Sequence, residues 1–215
     1  MGKRFIKILK NIIEYVLDII YPPESQCIYC YKEDYIGLCP QCLTKIKRVN
    51  DENEIKSFAY YNGVVKKLIL ELKYKNNFLS AKILGEFMCN LIKENEILAD
   101  IILYVPLSKK SLKIRGYNQA EIIAKVISEK LDIPISNTLI KVKETKEQKT
   151  LSKEERSINL INAFDIKKPS DIENKRIILI DDVLTTGATL RECEKILKKF
   201  RASTINILTV AKSNI

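Results

Sequence analysis

The residues best suited to chemistry are Ile177-Ile178-Leu179-Ile180-Asp181-Asp182-Val183-Leu184-Thr185-Thr186-Gly187-Ala188-Thr189. Four apolar residues read as a buried strand. Two carboxylates follow at its carboxyl end, then a hydroxyl-rich turn with one glycine, then the start of a helix. Backbone N–H groups at a helix start, joined by threonine hydroxyls, make a cradle for a phosphate. Glycine lets the backbone come close to the anion. The carboxylates cannot hold phosphate, but they accept hydrogen bonds from a vicinal diol such as the 2′- and 3′-hydroxyls of ribose. An ordinary helix cap and turn is the plainer reading of the same residues. Neither G-x-x-x-x-G-K-[ST] nor G-x-G-x-x-G occurs, so the two commonest nucleotide loops do not compete.

A second group is built of sulfur. Cys27-Ile28-Tyr29-Cys30 and Cys39-Pro40-Gln41-Cys42 are two C-x-x-C pairs with eight residues between them, Gly37 standing where the chain must turn back. Four thiolates suit a tetrahedral ion, and structural zinc is the expected occupant of Cys27, Cys30, Cys39 and Cys42. All four positions would be filled by thiolate, so the metal would not be catalytic. Two disulfides need an oxidising compartment, and a redox C-x-x-C needs one pair, not two. Cys89 and Cys193 stand alone in helical patterns and read as small core residues.

The chain of 215 residues has no histidine. That removes the Ser-His-Asp triad, the Cys-His dyad and every histidine-ligated metal. Acid–base work falls to carboxylates, Lys, Tyr, Cys or the substrate. Lys and Arg number 37 against 27 Asp and Glu, a net charge of +10, which favours an anionic partner: a nucleotide, a nucleic acid or a membrane surface.

The elements that must position these groups are legible in outline. Phe5, Ile8, Leu9, Ile12, Ile13, Val16 and Ile20 recur at helical spacing until Pro22-Pro23. That helix would lie on the protein's own core, or on a membrane surface or partner. It is too interrupted by charge to cross a bilayer and a poor signal peptide, so a cytoplasmic protein is expected. Past the cysteines, strands are predicted over 56–61, 101–105, 138–142, 176–180 and 203–210. Helices are predicted over 64–74, 79–94, 117–131 and 188–200. A mobile loop is predicted over 143–150, followed by a capping box at Ser152-Lys153-Glu154-Glu155. Alternating helices and fully apolar strands give an α/β fold: a parallel sheet covered on both faces, with its ligand at the carboxyl ends of the strands.

The strand–acidic pair–threonine turn resembles the signature of type I phosphoribosyltransferases, which bind phosphoribosyl pyrophosphate (PRPP). Within that superfamily the chain resembles the ComF family. The stretches that carry this are the four-cysteine knuckle, Arg115-Gly116-Tyr117-Asn118-Gln119, and Gln148-x-x-Leu151 followed by Arg156-x-x-Asn159 and Ala163-Phe164. The likeness spans nearly the whole chain. It implies an amino-terminal helix (1–22), a four-cysteine zinc finger (23–50) and a phosphoribosyltransferase-like domain (51–215). It implies that Asp181 and Asp182 bind the ribose hydroxyls and that Thr185, Thr186, Gly187, Ala188 and Thr189 cradle the 5-phosphate. A pyrophosphate loop over 106–115 would offer Lys109, Lys110, Lys113 and Arg115 to a Mg²⁺-bridged pyrophosphate; a solvated basic surface is the plainer reading. Relatives more often carry Arg early in this loop, which binds by a fork rather than a point charge. A closing loop over 141–156 would bring Gln148, Arg156 and Asn159 to the reaction, or these are ordinary caps and surface groups. Many purine-specific relatives have Asp where this chain has Thr185, which cannot act as a base at neutral pH. The resemblance also implies a role in DNA uptake during natural transformation. The expected function is thus PRPP-dependent group transfer, or a non-catalytic adaptor that binds PRPP together with single-stranded DNA or a DNA-uptake protein.

Overall fold

The computed structural model of the chain describes residues 25–50, 53–143 and 162–213. A short helix α1 (Pro40–Leu43) closes the cysteine knuckle and leads to strand β1 (Ile55–Tyr60). Helices α2 (Gly63–Lys75) and α3 (Phe78–Glu94) follow, then β2 (Ile101–Tyr104), α4 (Lys109–Arg115) and α5 (Gln119–Leu131). The remaining elements are β3 (Leu139–Lys141), β4 (Phe164–Ile166), β5 (Arg176–Leu184), α6 (Ala188–Lys199) and β6 (Thr204–Lys212). The expected amphipathic helix of 1–22, the capping box at 152–155, and Gln148, Arg156 and Asn159 lie outside the described residues.

Four strands pair in the order β1-β6-β5-β2, all parallel. Alternate residues of β5 feed two cores. Ile178 and Ile180 join Ile102, Leu208 and Val210 against α2, α3 and α5. Ile177 and Leu179 join Leu103 and Ile207 against α6 and the antiparallel pair β3–β4. Burial on both sides explains why β2 and residues 177–180 of β5 are continuously apolar rather than alternating. Strand β1 would be a bare edge, but residues 47–49 run antiparallel beside it, with Val49 N–H donating to Phe58 O (3.2 Å) and Tyr60 N–H to Lys47 O (2.9 Å). Arg48 fastens that segment: its guanidinium lies 4.1 Å over the Phe58 ring and its Nε donates to Phe58 O at 3.0 Å. No helix among the described residues is long and apolar enough to cross a membrane.

Helices α3 and α5 touch where Gly85 has no side chain. A Cβ there would fall 2.5 Å from Val126 Cγ1 and 2.6 Å from its Cβ. The β-branched valine cannot swing both atoms away. Gly85→Ala is therefore expected to destabilise the fold by about 1–3 kcal/mol, the usual cost of overpacking. Urea unfolding would show this as a lower midpoint with an unchanged slope.

Helix α1 and strand β4 have no counterpart among the expected elements, and two further elements differ from expectation. Strand β5 does not stop at Ile180 but runs to Leu184, because β6 continues beside it and pairs Asp181 with Thr209 and Leu184 with Lys212. Residues 106–115 are not simply a loop: Lys109–Arg115 forms α4, begun by Ser108, whose Oγ accepts from Ser111 N–H at 3.1 Å, and ended by Gly116 at φ +78°.

Candidate functional site

The site begins where two neighbouring strands end at different heights. Strand β2 stops opposite Ile180, and the last hydrogen bond on that side runs from Val105 N–H to Ile180 O at 2.9 Å. From Asp181 onward β5 has a paired partner only in β6, so a notch opens beside it. Asp181 and Asp182 stand in that notch, both partly exposed.

The chain then turns at Thr185, exposed, and Thr186, and enters α6 at Gly187 with φ +73°. That backbone conformation suits glycine and strains other residues. Helix α6 has no acidic residue in its first turn. Its N-terminus therefore presents N–H groups and the positive end of the helix dipole uncompensated by carboxylate. Arg191, one turn on, donates to Thr186 O and holds the turn in place. Asp181, Asp182, Thr185, Thr186, Gly187, Ala188 and Thr189 all line one cavity of about 310 Å³, together with Val183, Leu184 and Leu190.

Sequence reasoning missed one member of this cavity. Lys73, near the end of α2, sends Nζ to 2.6 Å from Asp182 Oδ2, and the two side chains are only 15% and 16% exposed. Burial works to lower the Lys73 pKa, but the charge and hydrogen bond of Asp182, helped by Asp181, outweigh it, and the net shift is upward. Asp181 moves the other way for an acid. Burial first, then the charge of Asp182, raises it to about 7, against opposition from the Asp182 N–H and Lys73. The acidic pair therefore does not carry two full charges at neutral pH.

The four basic residues of 106–115 are placed differently. Lys109, Lys110 and Lys113 are exposed on α4, beside the carboxyl end of β2, and none lines the cavity. Arg115 turns inward and donates from Nη1 to Gln119 Oε1 at 3.0 Å. Its charge is felt by Lys73. Asn118 is buried and fixes this corner, its Nδ2 donating to Val105 O at 2.9 Å and its Oδ1 accepting from Ala120 N–H at 3.0 Å.

The cysteine group is assembled as its spacing predicts. The sulfurs of Cys27, Cys30, Cys39 and Cys42 lie within 4.8 Å of one another. A tetrahedron of thiolates about zinc has edges of roughly 3.8 Å, and Cys30 Sγ and Cys39 Sγ are 3.7 Å apart. Burial opposes ionisation of Cys27, but the N–H groups of Cys30, Cys39 and Tyr29 outweigh it and lower its pKa to about 6. Burial, followed by hydrogen bonds with the other thiols, pushes Cys42 up. Four sulfurs this close ionise together only around a cation. The group could hold a metal ion. Cys89 and Cys193 are buried as expected.

The Phosphoribosyl transferase domain family matches residues 116–215, which include β5, the acidic pair, the threonine turn and β6. Competence protein F of Haemophilus influenzae is 31% identical over 196 residues, covering 87% of this chain and 84% of that protein. The chain belongs to the ComF family. Competence protein ComFC of Bacillus subtilis is 29% identical over 196 residues, covering 87% of this chain and 78% of the other. The DNA utilization protein YhgH of Salmonella typhimurium is 25% identical, covering 83% and 85%. Among solved structures, adenine phosphoribosyl transferase from Trypanosoma brucei aligns with a TM-score of 0.48 at 13% identity, over 78% of this chain and 86% of that one. The family match and the sheet order make the core a phosphoribosyltransferase-like parallel sheet flanked by helices, with a four-cysteine cluster on its amino-terminal side.

Proposed function

We propose that the cavity at the end of β5 binds PRPP as its Mg²⁺ complex and that the protein acts in the handling of DNA taken up by the cell. One observation carries the ligand: an acidic pair and the glycine-opened N-terminus of α6 line a single cavity. Asp181 and Asp182 accept hydrogen bonds from the ribose hydroxyls. Thr185, Thr186, Gly187, Ala188 and Thr189 receive the 5-phosphate, using hydroxyls, N–H groups and the helix dipole. On this reading Lys109, Lys110, Lys113 and Arg115 of α4, beside the end of β2, serve the pyrophosphate, and Gln148, Arg156 and Asn159, outside the described residues, are the further contacts that the family resemblance implies. In the transfer a nitrogen nucleophile forms a bond to the anomeric carbon as the C–O bond to pyrophosphate breaks. The DNA role rests on the names of the relatives, which are competence and DNA utilization proteins.

Zinc is the metal that best suits four thiolates in a closed tetrahedron, and its work is structural. The residues leave no open coordination position for water.

Mg²⁺–PRPP at about 100 times its dissociation constant stabilises a folded protein by about 2.7 kcal/mol. For a chain of this size that is a rise in melting temperature of about 5–10 °C. An unchanged melting temperature at millimolar ligand would count against the site. Pyrophosphate release with ammonia and a panel of nucleobases tests the chemistry.

A non-catalytic DNA adaptor is the second reading. It is favoured by lysines seated on aromatic faces around the knuckle and α2: Lys67 over Tyr31 (5.3 Å), Lys32 over Tyr35 (5.5 Å) and Lys66 over Tyr61 (5.8 Å). Single strands use such faces for stacking and charge. Binding would fall steeply with salt; no binding of a single-stranded oligonucleotide at low salt removes this reading.

A further inference from the structure

We propose that Lys73 is a positioning residue of the ligand site, fixing Asp182 for a diol and offsetting the acidic pair against the ligand's phosphates. The inference rests on the ribose-phosphate reading of the cavity and deepens it.

Helix α2 makes Lys73 an exception among its lysines. Lys67 and Lys75 both pair with Glu71 on the helix's own surface, at 2.9 and 3.0 Å. Lys73 instead crosses to β5 and is the only cation lining the cavity among the described residues. The apolar face of α2, with Leu68, Ile69 and Leu72 buried, fixes the helix on the sheet. The ammonium is thereby delivered to the notch by a rigid element.

The chemistry of the pair leaves room for a ligand. A carboxylate has about four acceptor sites and an ammonium three donors. Their mutual contact therefore leaves acceptor sites on Asp182 for hydroxyls and donors on Nζ. Without Lys73, a polyanionic ligand would meet the acidic pair with no cation beside it. With it, the local charge falls by one and the Asp182 side chain is held in one orientation.

The other titratable groups around the pair are Asp181 beside it, Tyr61 after β1, Arg115 at the end of α4 and, next to Asp181, the buried Cys193. Lys73 and Asp181 act on each other: the ammonium lowers the Asp181 pKa. Removing Lys73 moves Asp181 further up, so more of it is protonated at pH 7.

The test is calorimetric titration of Mg²⁺–PRPP into the full-length, metal-loaded wild type, Lys73→Met and Lys73→Arg, from pH 6.5 to 9. A charge-assisted contact of ordinary strength predicts about 10- to 100-fold weaker binding for Lys73→Met at pH 7. The deficit should widen as pH rises, because the ionised Asp181 then faces the ligand's phosphates without the ammonium beside it. Lys73→Arg keeps the charge and should bind within about threefold of wild type. A general packing role would give neither the pH dependence nor the rescue. Melting curves of each variant report whether it is folded. If Lys73→Met fails to fold, Lys73→Gln and Lys73→Arg carry the comparison. A folded neutral variant that binds like wild type at every pH, or more tightly, overturns this inference alone. Wild type that binds no PRPP overturns the ribose-phosphate reading and this inference with it.

Discussion

Stripping the metal from the four-cysteine cluster is expected to lower the melting temperature by about 8–16 °C. Residues 25–50 are too few to form a core of their own. Their ordered interior is the cysteines themselves: Cys27, Cys39 and Cys42 are buried, and they belong to the same core as α2 and α3. Ile28, Tyr29, Tyr35, Leu38 and Ile46 lean on that core from the knuckle side. Ile83 of α3 reaches to 3.0 Å from where a Gly37 Cβ would stand. Loosening the knuckle therefore uncovers part of the core that α2 and α3 share with it. Structural zinc binds isolated finger peptides with about 10–16 kcal/mol. If only about a third of that is coupled to the fold, the loss is about 4 kcal/mol, or about 8–16 °C in a chain of this length. Cys42→Ser should reproduce the effect without chelator. Metal content by elemental analysis and melting by circular dichroism check it together. A fully stripped protein that melts at the same temperature would show that packing alone holds the knuckle.

Asp181→Asn is expected to have two opposite effects: binding of Mg²⁺–PRPP is lost, and the ligand-free protein becomes harder to melt above pH 7. The second effect follows from the raised Asp181 pKa, about 7 in the folded chain against 3.8 for an ordinary aspartate. Below about pH 4 the group is protonated in both states and contributes nothing. Between 4 and 7 the unfolded chain gives up its proton while the folded chain retains it, so stability falls as pH rises. Above 7 the penalty is complete. Asparagine has no such penalty, so the melting temperature gained by the variant should be absent near pH 4, grow through pH 5–7 and level off at pH 8. The first effect follows because an amide has one neutral acceptor oxygen and cannot make the stronger charge-assisted hydrogen bonds that a carboxylate makes to the ribose hydroxyls. A gain in stability coupled to a loss of binding is the mark of a residue kept for function at a cost to the fold. A variant that melts earlier than wild type at pH 8 would contradict the burial and charge assigned to Asp181.

The sheet and the acidic pair were legible because each depends on local sequence. Continuous apolar runs such as Ile177-Ile178-Leu179-Ile180 need burial on both faces, and the carboxylates follow immediately. The cysteine cluster was legible because ligand spacing is itself the signal. The extension of β5 to Leu184 was not, since it depends on β6 being long enough to pair with polar residues, a property of another part of the chain. Helix α4 had readable signals in Ser108 and Gly116, the cap and the left-handed stop, but a run of lysines masked its period. Strand β4, Phe164–Ile166, is too short to show any alternation. Lys73 was hidden most fully. It is one lysine among several on α2, and only the packing of that helix against the sheet shows which of them meets Asp182.

The central claim is that the notch at the end of β5 is a ribose-phosphate site. Calorimetric titration of Mg²⁺–PRPP into metal-loaded wild type and into the Asp181→Asn/Asp182→Asn double variant tests it most directly. The account predicts saturable binding at one site per chain in the wild type and no heat of binding in the folded variant. Folded wild type that binds nothing, or a variant that binds as wild type does, would contradict it.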